Sequence, residues 1–259
     1  NDAAIEHYDK SIKYDKYFLQ AQYSIAWVKM NFTQDVSWKE HMAIVMKGID
    51  KLSDRTKFWY KIGYYRITGE EDLYKRLAVR QVMLYPYDIE AHEALADVYM
   101  NENNPERYDN VINEYKMMLT LDPEKYELYI DIGDAYYSKN DFKNSIHYYE
   151  KYSKIFVDDA DILSSISGAY RELGELDIST NILEDAILLS NDELYLQLML
   201  LSNKYQMQNL NSNQAINKLT ELLSKSDNYQ DSISTYYMLK RFSFHLGNVK
   251  NSYDYGQKI

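Results

Sequence analysis

The chain has 259 residues, of which 46% are apolar, 15% aromatic and 27% charged, a composition that excludes a disordered tail. Its 29 basic and 40 acidic residues give a net charge of −11, which disfavours binding to duplex nucleic acid or to anionic membranes, because both attract basic surfaces. Cysteine is absent, which excludes disulfides, thiolate metal sites and a cysteine nucleophile, and which is compatible with either the cytosol or the periplasm.

The chain contains few helix-breaking residues, with only 3 prolines and 8 glycines. Apolar residues recur at spacings of three and four, which is typical of one face of an α-helix. Ser37 and Glu40 predict a capping box, and Pro105 is predicted at the first position of another helix. In chain order the pattern predicts one unpaired helix at 3–14 and then seven helix pairs, at 17–31 and 37–52, 55–68 and 70–84, 88–102 and 106–120, 125–139 and 141–156, 159–173 and 175–189, 192–208 and 211–225, and 229–246 and 248–258.

The helix pairs repeat in sequence. The stretch IGDAYYSKND at 132–141 matches ISGAYRELGE at 166–175, with an offset of 34 residues. Further copies begin at Leu95 and at Trp59, and each copy holds two helical patterns. A helix pair repeated at this period is the sequence signature of a stacked repeat protein.

These residues resemble the tetratricopeptide repeat, a helix-turn-helix unit of about 34 residues. The resemblance is strongest at 126–159, where Ser145 replaces the usual Ala and Val157 replaces the usual Pro. It implies an all-α, right-handed α-solenoid of about 15 helices. We expect a single array over 1–259, with clear repeats at 17–190 and degenerate repeats at 191–259.

A narrower resemblance concerns the stretches 18–30, 48–70 and 83–100, with the turn Ser53-Asp54-Arg55. They are similar to tetratricopeptide arrays attached to bacterial signalling proteins, namely cyclases, kinases and winged-helix regulators. This resemblance implies that the chain is a piece of a larger bacterial signalling protein.

In stacked helix pairs the first helices line the inner face, and residues beside the core stripe point into it. The predicted partner-binding groove is aromatic near its start and acidic in the middle, and consists of Tyr23, Trp27, Tyr60, Tyr64, Glu93, Asp97, Ile130, Asp134, Tyr137 and Arg171. Residues 88–135 carry 3 basic and 13 acidic side chains, which favours a protein or peptide partner of basic character. The alternative is that several of these tyrosines pack against the neighbouring repeat.

The sequence carries no recognisable catalytic motif. No two of the five histidines share a helix turn, and no phosphate-binding loop or nucleophile elbow occurs. We therefore expect no catalytic residue, no metal and no cofactor, and no insertion into a membrane, because the strongest apolar cluster, at 196–202, is far too short. The sequence predicts a non-catalytic protein-binding scaffold or sensory module.

Three alternatives stay open at this point. The chain is a receptor for a peptide or effector that changes the superhelix, or the regulatory arm of an enzyme whose catalytic domain lies elsewhere. The third alternative is that the chain self-associates through apolar solenoid ends.

Overall fold

The computed structural model describes residues 2–33, 36–190, 194–225, 229–245 and 247–258. Within these ranges every regular element is helical. The chain divides into two compact units, Asn1–Asp122 and Pro123–Ile259, and each is described by itself. Across the described ranges, none of the helices combines the length and the apolarity that crossing a bilayer requires.

The described residues of the first unit form seven α-helices, which are α1 Asp2–Tyr14, α2 Leu19–Val28, α3 Trp38–Gly48, α4 Asp54–Thr68, α5 Glu71–Leu84, α6 Ile89–Asn101 and α7 Arg107–Leu121. A π-helical turn, Lys29–Thr33, follows α2, and a 3₁₀ turn, Ile49–Lys51, follows α3. Helices α2 and α3, α4 and α5, and α6 and α7 pack as antiparallel pairs, and α1 packs on α2.

The second unit contains eight α-helices in its described residues, which are α8 Leu128–Ser138, α9 Phe142–Ser153, α10 Ala160–Glu172, α11 Leu176–Leu189, α12 Leu194–Gln206, α13 Ser212–Lys225, α14 Tyr229–His245 and α15 Val249–Gly256. They pair in the same way, α8 with α9 and so on to α14 with α15. The helix predicted for 55–68 is observed at Asp54–Thr68, and the other bounds agree within a few residues. Positions 192, 193 and 246 of the predicted helices lie outside the described residues.

Local hydrogen bonds explain where several helices begin and end. Ser53 and Asp159 each accept, through a side-chain oxygen, a hydrogen bond from the N–H three residues later, at 3.3 and 3.1 Å. Gly69 and Gly174 end α4 and α10 with φ of +74° and +84°, a left-handed conformation that favours glycine.

Two residues predicted to mark the start of a helix have other roles in the structure. Ser37 precedes α3, but its hydroxyl accepts a hydrogen bond from Lys29 Nζ at 2.8 Å and caps no backbone N–H. The predicted capping box is therefore wrong, although the helix starts where it was expected. Pro105 lies in the turn before α7, and this helix begins two residues later, at Arg107.

The core of each unit is built between successive helix pairs. In the first unit, Leu19, Met42 and Val45 belong to a buried cluster shared by α2, α3 and α4. In the second, Leu219 and Leu239 belong to a cluster shared by α12, α13 and α14. Each pair thus buries its apolar face against the next pair, as stacked repeats require.

Candidate functional site

Tyr23 and Tyr60, two of the predicted groove residues, lie in the core of the first unit. Tyr23 is 6% exposed, and its ring stacks on Tyr60 with 4.5 Å between centroids and 9° between planes. Burial, reinforced by the neighbouring Tyr60, raises the pKa of Tyr23 to about 12, and burial also raises the pKa of Tyr60. Gly63 leaves room for the Tyr23 hydroxyl, because a Cβ atom there would collide with it. The two rings join α2 to α4, and a partner-binding role for them stays a prediction.

Trp27 and Asp97 are linked through Arg66. The guanidinium of Arg66 lies over the Trp27 ring, 5.6 Å from its centroid, and its Nε is 3.4 Å from Asp97 Oδ2. The hydroxyl of Tyr74 donates a hydrogen bond to the same carboxylate oxygen of Asp97 at 2.5 Å. Side chains from α2, α4 and α6 therefore meet on one side of the first unit. We call the surface of Trp27, Arg66 and Asp97 the α2–α4–α6 face.

The sequence prediction did not include Arg66, because it selected residues of α4 at helical spacing, Tyr60 and Tyr64, and Arg66 lies to the side of that stripe. The arginine side chain is long enough to contact residues on adjacent helices, and this length is the one property in the sequence that could have indicated its role. Glu93 precedes Asp97 by one turn on α6, so the two carboxylates share a side of this helix, and Glu93 is exposed. Tyr64 is half-buried against the Tyr23 cluster.

Basic side chains from neighbouring helices pair with much of the acidic stretch in the first unit. Arg55 donates two hydrogen bonds to Asp88, at 2.7 and 3.0 Å, and a third to Glu90 at 2.8 Å. Lys75 forms an ion pair with Glu102. The formal imbalance at 88–135 therefore overstates the negative charge that the first unit presents to solvent.

The predicted residues of the second unit lie on α8 and α10. Ile130 is half-buried against the cluster of Tyr149, and Asp134 is exposed and accepts a hydrogen bond from the Tyr149 hydroxyl at 2.5 Å. Burial raises the pKa of the Tyr137 hydroxyl above its ordinary value, although Arg171 lies close enough to oppose this shift. The structure thus brings Tyr137 and Arg171 together.

A groove that the sequence did not predict lies between α10, α12 and α14, the first helices of three successive pairs. Its volume is about 450 Å³. We call it the α10–α12–α14 groove. Its walls carry aromatic and methionine side chains with two arginines, among them Tyr195, Tyr205, Tyr237, Phe242, Met199, Met238, Arg171 and Arg241. Apart from Arg171, its side chains come from the degenerate repeats, where the sequence pattern is too weak to predict a groove.

His92, the most buried histidine among the described residues, contacts two neighbouring segments of the fold. His92 Nδ1 is 2.6 Å from Glu114 Oε2, and its Nε2 is 2.9 Å from the Pro86 carbonyl oxygen. Among the described residues there is no cluster of three or more His, Cys, Asp or Glu side chains able to hold a metal ion. His92 therefore joins α6 to α7 and to the turn before α6.

Comparison with known proteins supports the fold. No family model matches the chain, and no curated protein matches it. The solved structure "MamA RS-1 ArsTM double mutant" is 13% identical with a TM-score of 0.52, over 75% of this chain and 97% of the other. MamA from residue 41 to the end, from Desulfovibrio magneticus RS-1, is 15% identical with a TM-score of 0.56, over 68% and 99%.

Pseudomonas aeruginosa pilF is 14% identical with a TM-score of 0.54, over 82% of this chain and 91% of the other. MamA and PilF are tetratricopeptide-repeat proteins. At these identities the likeness concerns the fold. The chain therefore has an all-α tetratricopeptide-repeat fold, and the predicted fold class is confirmed.

Proposed function

We propose that the chain is a non-catalytic scaffold that binds a protein or peptide of basic character through its first helices. The observation that carries the proposal is the α2–α4–α6 face, where Arg66 joins Trp27 to Asp97 across three successive first helices. Trp27 offers a large apolar ring, and large rings anchor partners at a low entropy cost. Glu93 offers an exposed carboxylate for a partner's lysine or arginine.

The absence of catalysis is part of the proposal. It is supported by the fold, because MamA and PilF are scaffold proteins of the same repeat class. It is also supported by His92, whose two ring nitrogens are both engaged by the carboxylate of Glu114 and the carbonyl of Pro86. Turnover of a small substrate by this chain would contradict it.

The test uses two fluorescein-labelled dodecapeptide libraries of equal apolar content, one with lysine and arginine and one with glutamate and aspartate. We expect the basic library to yield binders, and the double variant Trp27→Ala, Tyr64→Ala to weaken them at least about tenfold in fluorescence polarisation. Far-UV circular dichroism should show nearly unchanged helix content. The matched control is Tyr87→Ala, which removes a ring that is 83% exposed outside this face.

Three outcomes bear on the proposal directly. Equal binding by wild type and the double variant would contradict a role for the α2–α4–α6 face. A large loss of helix content would show that Trp27 and Tyr64 serve the core. Failure of both libraries to bind would contradict the scaffold.

The same proposal places the chain within a larger bacterial signalling protein, and sequence flanking it in the full gene tests this. Small-angle scattering with and without a bound basic peptide distinguishes a rigid scaffold from an effector receptor, because a receptor should change its dimensions. Sedimentation at several concentrations tests self-association.

A further inference from the structure

We propose that the α10–α12–α14 groove is a second docking site, for a partner segment that is apolar and acidic. This inference goes beyond the basic partner of the first unit and concerns different residues of the second unit. It depends on three observations about the groove, which are its charge, its extent and its lining.

The charge of the groove is positive although the chain as a whole carries −11. Arg171 and Arg241 line it, and no Asp or Glu does so in the described part of the chain. Arg241 is exposed, and its side chain has neither an ion pair nor a hydrogen bond within the described residues. Two guanidinium groups beside an apolar surface favour a ligand that carries carboxylates.

Arg171 retains capacity for a ligand despite its present contacts. It lies beside Tyr137 and 3.9 Å from a carboxylate oxygen of Glu172. A guanidinium has five N–H donors, so donors remain for an incoming carboxylate. The Arg171 side chain is 29% exposed and lines the groove, so a bound carboxylate can reach it.

The extent of the groove favours a chain segment over a compact molecule. Neighbouring packed helices lie about 8–10 Å apart, so a groove across three of them spans roughly 20 Å. An extended peptide covers that distance with about six residues. The volume of about 450 Å³ accommodates a few apolar side chains of such a peptide.

The lining supplies both rigid and adaptable contacts. Tyr205 and Phe242 stand together with 4.4 Å between ring centroids, and they form a fixed apolar wall. Met199 and Met238 are flexible and polarisable, so they adjust to the shape of an inserted side chain. This combination suits a segment with two or three leucine or phenylalanine side chains between acidic residues.

The experiment compares a charge reversal inside the groove with the same reversal outside it. Arg241→Glu reverses the charge of a groove residue on α14, whereas Lys250→Glu makes the same change at an exposed lysine of α15, outside the lining of this groove. The probes are labelled dodecapeptides with Leu or Phe at apolar positions and Glu at the flanking positions, and the same peptides with Lys in place of Glu. Affinity is measured by fluorescence polarisation at low and at physiological salt.

We expect the acidic peptides to bind, Arg241→Glu to weaken their binding at least about tenfold, and Lys250→Glu to change it less than about threefold. Trp27 and Tyr64 lie in the first unit, so the variant Trp27→Ala, Tyr64→Ala should not change binding of the acidic peptides, and the two proposed sites are tested separately. Equal affinity for acidic and lysine peptides, or equal effects of the two charge reversals, would overturn the proposal. Binding of laurate without binding of any acidic peptide would also overturn it, since the occupant would then be a small amphiphile.

Discussion

The ring of Tyr149 packs against the backbone of α8 at Gly133, where a Cβ atom would collide with two ring carbons. The ring has no room to move away, because it is buried and its hydroxyl is fixed by the hydrogen bond to Asp134. We therefore expect Gly133→Ala to destabilise the second unit by about 1–3 kcal/mol, the usual cost of overpacking. Urea unfolding followed by far-UV circular dichroism measures this loss.

Gly168 on α10 is the matched control for Gly133. It is also buried inside a helix, but the nearest atom to an added Cβ is the Tyr137 hydroxyl at 4.0 Å, an ordinary contact distance. Gly168→Ala should stabilise the unit by about 0.5–1 kcal/mol, because alanine loses less backbone entropy in a helix. Two substitutions of the same sign would contradict the packing argument.

A second prediction concerns serines at equivalent positions, 34 residues apart. Ser179 accepts a hydrogen bond from Asn203 Nδ2 at 2.7 Å and shares one with Ser167 at 2.7 Å, all within the core. Ser179→Ala leaves the buried amide of Asn203 without this acceptor, whereas Ser167 keeps its hydrogen bond to the Ser179 carbonyl at 3.0 Å, and we expect a loss of about 1–3 kcal/mol in the free energy of unfolding. Circular dichroism of urea unfolding is again the measurement.

Ser145→Ala is the control for Ser179→Ala. Ser145 is fully buried as well, but its hydroxyl makes no such hydrogen bond to another repeat. Replacing it with alanine should be neutral or stabilising by up to about 1 kcal/mol, since a buried hydroxyl is costly to desolvate. A loss equal to that of Ser179→Ala would show that the network around Asn203 contributes nothing.

A third prediction follows from the buried phenol of Tyr23. Its pKa is about 12 in the folded chain against about 10 when unfolded, so folding favours the neutral form. Its contribution to stability is complete below pH 10 and is lost as the pH rises from about 10 to about 12. Each pH unit in this window costs about 1.4 kcal/mol, so wild type should lose about 2–3 kcal/mol through Tyr23.

The variant Tyr23→Phe should escape that part of the alkaline loss while differing little from wild type at pH 9. The three tryptophans, Trp27, Trp38 and Trp59, all lie in the first unit, so their fluorescence follows its unfolding in urea. Tyr87→Phe changes an exposed tyrosine, and its unfolding free energy should follow the wild-type curve. Parallel curves for Tyr23→Phe and wild type up to pH 12 would contradict the assignment.

The sequence predicts the fold better than the site, and particular residues explain the difference. A 34-residue period and helical spacing are local properties, so the pattern places 70–84 within one residue of the observed α5 at Glu71–Leu84. The side of the helix on which a residue lies does not alone decide whether its side chain is exposed. Tyr23 was expected to face a partner, but Gly63 on the next first helix gives its hydroxyl room, and the ring is buried.

The α10–α12–α14 groove shows the second limit. Arg171, Met199 and Arg241 lie on three helices separated by turns, and only packing brings them to one place. Repeat matching assigns their helices but gives no distance between side chains, and it is weakest where the repeats are degenerate. The predicted residue Arg171 proves to border this groove, although the prediction placed it at the far end of an aromatic and acidic surface.

A fourth prediction tests the structural place of His92, to which the sequence assigned no role. Its side chain is almost fully buried between the carboxylate of Glu114 and the carbonyl of Pro86, so His92→Leu removes the ring nitrogen that each of these oxygens contacts. Leaving a buried carboxylate without its partner typically costs about 2–3 kcal/mol or more. Tryptophan fluorescence should therefore show that His92→Leu unfolds at a clearly lower urea concentration than wild type.

His147→Leu alters an exposed histidine on α9 of the second unit, and far-UV circular dichroism of its urea unfolding should show a change in stability of less than about 0.5 kcal/mol. A midpoint of His92→Leu equal to that of wild type would show that the buried pair does not stabilise the junction of α6 and α7.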